Sequence, residues 1–314
     1  MGDSCGSSCA SKKSTCGGAN AVIAKQDESI NRSLGRIKNK ILVMSGKGGV
    51  GKSTVSTNLA VGLAKRGYKV GLMDVDLHGP DICRMLALTE RVQGVEKQGD
   101  LVPPMLYGDN LKVISLEYMM ENRDDPIIWR GPLKIQAIRQ FIADIDWGEL
   151  DFLVIDSPPG TGDEPLTISS TIKDALALVV TTPQEIALAD VRKSLNFCKH
   201  VSMEVLGVVE NMSGMVCPHC NKTVEIFKTG GGRKTAVDFK VPFLGTIPVD
   251  PQIVIGGDAG QPYLVGAGES PAITAFTEVL DNVIASTVNR ISLATVTPKC
   301  GCEGGECNPV TCDC

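Results

Sequence analysis

Residues 41–54 constrain this chain more than any other stretch, and they read Ile-Leu-Val-Met-Ser-Gly-Lys-Gly-Gly-Val-Gly-Lys-Ser-Thr. The order predicts an apolar strand, a glycine-rich turn and then a helix. Glycine adopts positive φ at little cost, so backbone N–H groups can turn inward around an anion. The positive end of the helix points at the same place. The stretch fits the pattern G-x-x-x-x-G-K-[ST], which is typical of a phosphate-binding loop.

This loop predicts a nucleotide site with Mg²⁺. Lys52 can neutralise the β- and γ-phosphates of ATP, and the Ser53 hydroxyl can bind the metal. The candidate nucleotide-binding residues of the loop are Gly46, Lys47, Gly48, Gly49, Val50, Gly51, Lys52, Ser53 and Thr54.

A second lysine, Lys47, follows the first glycine of the loop. The stretch from Gly46 to Thr54 therefore resembles the deviant phosphate loop of the family that contains septum-site, plasmid-partition and nitrogenase iron proteins. This resemblance implies that Lys47 reaches across a dimer to the nucleotide of the other subunit and takes part in catalysis. A solvated loop lysine is the alternative.

The apolar pattern predicts a doubly wound α/β fold with a mainly parallel sheet. Strands are expected at 40–45, 69–74, 111–116, 150–156, 175–181, 205–210 and 241–247, and helices at 52–66, 133–145, 164–172, 186–200 and 272–288. Short apolar strands that alternate with helices indicate a sheet covered on both faces. We predict a P-loop ATPase domain at 37–292, between a flexible arm at 1–36 without apolar periodicity and a cysteine-rich tail at 293–314.

Ligands of such a sheet bind beyond the carboxyl ends of its strands, and further polar residues follow predicted strands there. Asp74 and Asp76 end the second strand; we expect Asp76 to orient the attacking water and Asp74 to have a structural or Mg²⁺-linked role. Asp156 follows three apolar residues, as a metal-binding carboxylate of a Walker B strand does. Asn211 is placed to bind a base edge, and Pro248 to pack on the ring.

The chain has 12 cysteines among 314 residues, grouped in a way that is typical of metal sites rather than of a disulfide framework. Cys217 and Cys220 form a C-x-x-C pair. Two thiolates cannot complete a four-thiolate site, so the others must come from elsewhere in the chain or from a second subunit. A redox-active pair is the alternative. Further candidate ligands are Cys5, Cys9, Cys16, Cys300, Cys302, Cys307, Cys312 and Cys314.

The amino-acid composition limits the kinds of partner that this chain is expected to bind. The net charge is −5 and aromatic residues make up 4% of the chain, which argues against a nucleic-acid surface. No apolar stretch approaches the roughly 20 residues of a membrane span. The first residues lack the basic-then-apolar order of a signal peptide. We therefore expect a cytoplasmic protein that binds neither nucleic acid nor membrane.

Several motifs together resemble the Mrp/Nbp35 family of ATP-dependent iron–sulfur carriers and scaffolds. They are the loop at 46–54, Asp-Val-Asp at 74–76, Ile-Asp-Ser-Pro-Pro-Gly-Thr-Gly-Asp at 155–163, Glu-Asn-Met-Ser at 210–213 and Cys-Pro-x-Cys at 217–220. The resemblance implies a homodimer, or a heterodimer with a related ATPase, in which Cys217 and Cys220 of each subunit hold a [4Fe–4S] cluster. It also implies slow ATP hydrolysis and transfer of the cluster to apo iron–sulfur proteins.

Two other functions fit parts of the same pattern. A positioning ATPase similar to the septum-site and plasmid-partition proteins would need a basic patch or a terminal amphipathic helix. A reductase similar to nitrogenase iron protein would use ATP to drive electron transfer, but its bridging cysteines lie far apart in sequence.

Overall fold

The computed structural model describes residues 16–76, 79–88, 101–115, 117, 129, 131–217, 219–220, 222–266, 268 and 270–295. This part of the chain forms one nine-stranded sheet in the order β3-β4-β2-β5-β1-β6-β7-β8, with β9 paired to β7. The strands are β1 (Ile37–Ser45), β2 (Val70–Asp74), β3 (Met105–Tyr107), β4 (Leu111–Ser115), β5 (Leu150–Asp156), β6 (Leu176–Thr181), β7 (Glu204–Val216), β8 (Thr223–Val224) and β9 (Phe243–Val249). Strands β3 and β8 pair antiparallel with their neighbours, and the other pairings are parallel.

Ten helices are described in the same residues: α1 (Cys16–Leu34), α2 (Lys52–Lys65), α3 (Ile82–Met85), α4 (Gly131–Asp144), α5 (Asp163–Thr171), α6 (Glu185–His200), α7 (Gly231–Phe239), α8 (Pro251–Asp258), α9 (Tyr263–Gly266) and α10 (Pro271–Thr295). No helix among the residues described is long and apolar enough to cross a membrane.

Helices cover both faces of the sheet, as the buried side chains of β1 show. Leu42 and Met44 pack in one core with Phe141 of α4, while Ile41 and Val43 pack in a second core. Side chains of a strand alternate between faces, so a strand buried on both sides reads as a continuous apolar run. The predicted doubly wound fold is confirmed.

The parallel register places polar residues together at one edge. Val43 and Asp74 both lie opposite Asp156, and Thr181 lies opposite Glu210. The carboxyl ends of the central strands therefore meet where the loop after β1 begins.

Residues 16–34 differ from the sequence prediction, which expected an arm without periodic structure. They form helix α1, whose Ile30 and Leu34 are buried in the core beside α4. The Ser29 hydroxyl also donates to the carbonyl oxygen of Ala143 at 2.9 Å. Ile30 and Leu34, four residues apart, form one short apolar stripe in the polar second half of this helix, which is too little periodicity to detect in sequence.

Candidate functional site

The loop between β1 and α2 has the backbone shape that its glycines predict. Gly49 and Gly51 have φ of 77° and 80°. A Cβ on Gly46 would lie 2.4 Å from the backbone carbon of Asp190 on α6, so only glycine fits there. The loop is thus packed from the α6 side and turns its backbone toward the start of α2, where the helix N-terminus favours an anion.

Three side chains of α2 converge on the carboxylate of Asp156. Lys52 Nζ lies 2.8 Å from Asp156 Oδ2, the Ser53 hydroxyl donates to the same oxygen at 2.7 Å, and the Ser56 hydroxyl donates to Oδ1 at 2.6 Å. Asp156 is fully buried, and the Lys52 side chain is 7% exposed. A buried carboxylate needs such partners. A carboxylate and a hydroxyl side by side are oxygen ligands of the kind that Mg²⁺ takes.

A second buried carboxylate, Asp74, lies beside Asp156. Burial, and then the charge of Asp156, raise the pKa of Asp74 well above its ordinary value, while Lys52 acts in the opposite direction. The Ser115 hydroxyl donates to Asp74 Oδ2 at 3.0 Å, and the backbone N–H of Asp76 donates to Oδ1 at 3.0 Å. Asp74 therefore holds the turn from which Asp76 emerges.

The Asp76 carboxylate points toward the same lysine, with Oδ2 at 3.8 Å from Lys52 Nζ, and its side chain is 13% exposed. It thus lies at the rim of the site rather than in the core. This position suits a group that orients a water next to the terminal phosphate.

Asn211, near the middle of β7, lies beside the carboxyl end of β9, which holds Pro248. Asn211 pairs with Ile247, the residue before Pro248. The Asn211 amide nitrogen donates to the Val50 carbonyl oxygen at 2.8 Å. This contact is with the loop itself, and the contact with a base edge stays a prediction. Lys47 is half-buried, and its carbonyl oxygen accepts a hydrogen bond from the Ser45 hydroxyl at 3.0 Å.

The C-x-x-C pair lies in a hairpin turn between β7 and β8. Val216 pairs with Thr223, and the backbone N–H of Cys217 donates to the Lys222 carbonyl oxygen at 3.0 Å. Cys217 is half-buried and Cys220 is exposed. Hydrogen bonds from the backbone of His219 and of Cys220, and then from the Cys220 thiol, lower the pKa of Cys217. A thiol with a lowered pKa binds metal more readily because the thiolate is the ligand.

The described residues hold no group of three or more His, Cys, Asp or Glu side chains that fits a metal ion. The hairpin thus presents two thiols without a third ligand from the same described part of the chain. Other candidate cysteine ligands lie outside the described residues, namely Cys5, Cys9, Cys300, Cys302, Cys307, Cys312 and Cys314; the side chain of Cys16, in α1, lies outside them too.

A family model described as ParA, NUBPL iron-transfer P-loop NTPase, matches residues 36–284. This chain belongs to that family. The resemblance to Mrp/Nbp35 proteins is confirmed, since similar curated proteins include an iron–sulfur cluster carrier protein of Methanocaldococcus jannaschii, 46% identical over 81% of this chain and 87% of that protein. A cytosolic Fe-S cluster assembly factor CFD1 of Kluyveromyces lactis is 47% identical over 82% of this chain and 94% of that protein.

Solved structures support the same placement of this iron-transfer NTPase. A nucleotide-binding protein of Archaeoglobus fulgidus in complex with ADP is 37% identical, with a TM-score of 0.68 over 80% of this chain and 96% of that chain. The cell division ATPase MinD of Pyrococcus furiosus is 25% identical, with a TM-score of 0.58 over 79% of this chain and 99% of that chain. The chain therefore has the fold of nucleotide-binding P-loop ATPases.

The sequence analysis missed several residues that shape this NTPase site. Ser56 is one, although its position one helical turn after Ser53 puts both hydroxyls on the same face of α2. Ser115 at the end of β4 is another. Glu210 is fully buried at the end of the sheet and binds the start of α7. The run Gly230-Gly231-Gly232 was the sequence signal for that helix start.

Proposed function

We propose that this protein is an ATP-dependent iron–sulfur cluster carrier and scaffold, which assembles a [4Fe–4S] cluster and transfers it to apo-proteins. The observation that carries the proposal is the position of Cys217 and Cys220 in the turn directly after β7, the strand that also supplies Asn211 to the phosphate loop. The names of its relatives, an iron–sulfur cluster carrier and a cytosolic assembly factor, support the same activity.

The nucleotide half of the proposal assigns ATP to the loop at 46–54. Lys52 neutralises the β- and γ-phosphates, and Asp76 orients the attacking water from its position at the rim. Ser53 and Asp156 would hold Mg²⁺, which supplies neutralisation of the charge that develops on the phosphate oxygens. Asn211 fixes the loop, and Pro248 packs beside the base. ATP hydrolysis is slow and coupled to cluster transfer.

The cluster half of the proposal requires a second subunit. One hairpin offers two thiols, whereas a [4Fe–4S] cluster takes four thiolate ligands. A two-fold axis next to the hairpin presents Cys217 and Cys220 twice and completes the set. In a homodimer, or a heterodimer with a related ATPase, Lys47 would reach the nucleotide of the other subunit and contribute to catalysis there.

The recipients are apo iron–sulfur proteins, and we place the protein in the cytoplasm because relatives are named as cytosolic assembly factors. No role for nucleic acid or a membrane is proposed, in line with the net charge of −5.

Anaerobic reconstitution tests the cluster assignment. The background is full-length chain in which the eight cysteines at 5, 9, 16, 300, 302, 307, 312 and 314 are serine, so that thiols remain at 83, 198, 217 and 220. Because Cys83 and Cys198 are buried, only the hairpin pair is open to iron. We expect about two iron and two sulfide per subunit, in a dimer.

The Cys217→Ala, Cys220→Ala double variant of this background should lose the iron, the sulfide and the visible absorption of the cluster. His219→Ala is the matched control, since it changes the same turn and keeps both thiols. Unchanged iron and sulfide in the double variant would refute the assignment.

A positioning ATPase is the second candidate, and the fold shared with MinD favours it. It predicts ATP-dependent binding to liposomes or DNA by protein without iron. A reductase predicts instead an ATP-dependent fall in cluster potential coupled to substrate reduction. The same purified dimer, with and without cluster, separates the three functions in parallel assays.

A further inference from the structure

Glu210, near the middle of β7, carries a buried carboxylate that neither the nucleotide site nor the cysteine pair uses directly. It is fully buried. Its carboxylate accepts hydrogen bonds from the Ser213 hydroxyl at 2.6 Å, from the backbone N–H of Gly230 at 2.8 Å and from that of Gly232. Two of these donors are backbone groups at the N-terminus of α7, where the helix dipole favours negative charge. The site is built for a charged acceptor.

The three donors lie on either side of the cysteine hairpin in the sequence. Ser213 precedes Cys217 by four residues, whereas Gly230 and Gly232 follow the return strand β8. One carboxylate thus ties together both ends of the segment 213–230. The packing here is tight, since a Cβ on Gly232 would lie 3.0 Å from the Glu210 carboxylate.

The regular pairing of β7 with β9 is interrupted before the hairpin begins. Met212 and Gly214 have φ of 56° and 73°, both in the left-handed region. The pairing of β7 with β9 shifts register between Asn211 and Met215. A strand with such an irregularity bends there. The direction in which the hairpin leaves the sheet therefore depends on side-chain contacts near the bend. The three hydrogen bonds that the Glu210 carboxylate accepts are contacts of this kind.

The next residue, Asn211, contacts the phosphate loop. Its amide nitrogen donates to the Val50 carbonyl oxygen at 2.8 Å, and it packs so closely that a Cβ on Gly51 would lie 2.3 Å from that nitrogen. Consecutive residues of a strand point to opposite faces. Glu210 therefore contacts the hairpin segment on one face of β7, and Asn211 contacts the phosphate loop on the other face. The two contacts are joined by one rigid stretch of backbone.

We propose that Glu210 is a positioning residue that fixes the cysteine hairpin relative to the phosphate loop, so that nucleotide binding at the loop alters the exposure of Cys217 and Cys220. This inference rests on the proposed function only in taking these cysteines as the working thiols of the protein. The structural link itself requires no cluster.

The test is pulsed alkylation of full-length, cluster-free protein by iodoacetamide under anaerobic, reducing conditions. Mass spectrometry of the peptide that contains residues 217 and 220 separates these thiols from the other ten cysteines. In unmodified protein, Mg²⁺ with a non-hydrolysable ATP analogue should change the alkylation rate of this peptide about fivefold or more, the lower end of typical coupling between sites.

Glu210→Gln keeps the shape of the side chain but replaces one acceptor oxygen with an amide that cannot accept from a backbone N–H. We expect this variant to bind the analogue but to show the same alkylation rate with and without it. Glu225→Gln is the matched control, because Glu225 lies in the same segment, is exposed and bonds only locally to Thr229 at 3.0 Å. It should keep the full response.

Where Glu210→Gln fails to fold, Ser213→Ala takes its place, since it removes one of the three donors and leaves the two backbone bonds. A reduced response supports the inference. An unchanged rate on analogue binding in the unmodified protein overturns it, and so does a full response in folded Glu210→Gln or in Ser213→Ala. Iron and sulfide content is measured separately, so failure of cluster binding counts against the proposed function and leaves the alkylation result standing.

Discussion

The Asp156 carboxylate lies at the centre of the proposed nucleotide site. The substitution Asp156→Asn tests this assignment most directly. The carboxylate accepts from Lys52, Ser53 and Ser56 at 2.6–2.8 Å and is fully buried. Asparagine keeps one acceptor oxygen and turns its NH₂ group toward a second donor. The variant thus loses at least one charge-assisted hydrogen bond and leaves the Lys52 ammonium buried without its close counter-ion.

The expected loss of stability follows from two opposing effects. Breaking a buried ion pair by removing one partner costs about 3–5 kcal/mol. The loss of the Asp156 charge also relieves its repulsion of Asp74, whose pKa it raises. We therefore expect the free energy of unfolding to fall by about 2–4 kcal/mol, which in a domain of this size lowers Tm by roughly 5–15 °C.

Urea unfolding and calorimetry of the nucleotide-free protein measure this change. Asp281→Asn is the matched control, because the Arg66–Asp281 pair has a similar distance of 2.6 Å but lies half-exposed at the far end of α2. Its effect should stay below about 1 kcal/mol. Titration with Mg²⁺-ATP should show an affinity loss of at least about tenfold in Asp156→Asn. Equal stability and equal Mg²⁺-ATP affinity of the two variants would refute the central role of Asp156.

Three further outcomes follow from the geometry. The raised pKa of Asp74 means that the folded chain keeps a proton on this carboxyl above the ordinary pKa of aspartate, so stability falls as the pH rises from there toward the pKa of the folded state. Asp74→Asn should flatten this dependence, measured by urea unfolding at a series of pH values from about 4 upward. Gly51→Ala, with its Cβ at 2.3 Å from an amide nitrogen, should lose nucleotide affinity more severely in calorimetric titration than Gly49→Ala, which meets no atom within 4 Å. Cys198 is buried with its pKa raised to about 12 and should resist alkylation in native protein long after Cys217 has reacted, as peptide mass spectrometry will show.

The central strands β2, β5 and β6 were predictable because nearly every residue in them is buried, so each reads as an apolar run. The limits of β5 agree with the prediction, and Asp156 follows that run in both. The meeting of Asp74, Asp76 and Asp156 was predictable for the same reason, since parallel strands end at a common edge.

Hydrogen bonds that polar side chains make to residues distant in sequence were not predictable. The predicted contact of Asn211 with a base edge stays a prediction, whereas its hydrogen bond to the Val50 carbonyl oxygen gave no signal in the sequence. Strand β7 was expected to end at residue 210 and continues to Val216, because β8 pairs with its extension. Helix α7 begins at three glycines, which in sequence predict a turn. The start of the helix is explained only by its backbone hydrogen bonds to the buried Glu210 carboxylate.

The pairing of Lys52 with Asp156 also bears on the order in which ligands bind. Lys52, which we propose neutralises phosphate, has its Nζ 2.8 Å from the Asp156 carboxylate that would hold the metal. Mg²⁺ alone would have to compete with a buried ammonium for that oxygen. Nucleotide alone would draw the ammonium away and leave the buried Asp156 carboxylate without its cation. Each ligand thus removes the obstacle to the other. We therefore expect this site to bind Mg²⁺-ATP more tightly than it binds either ligand alone.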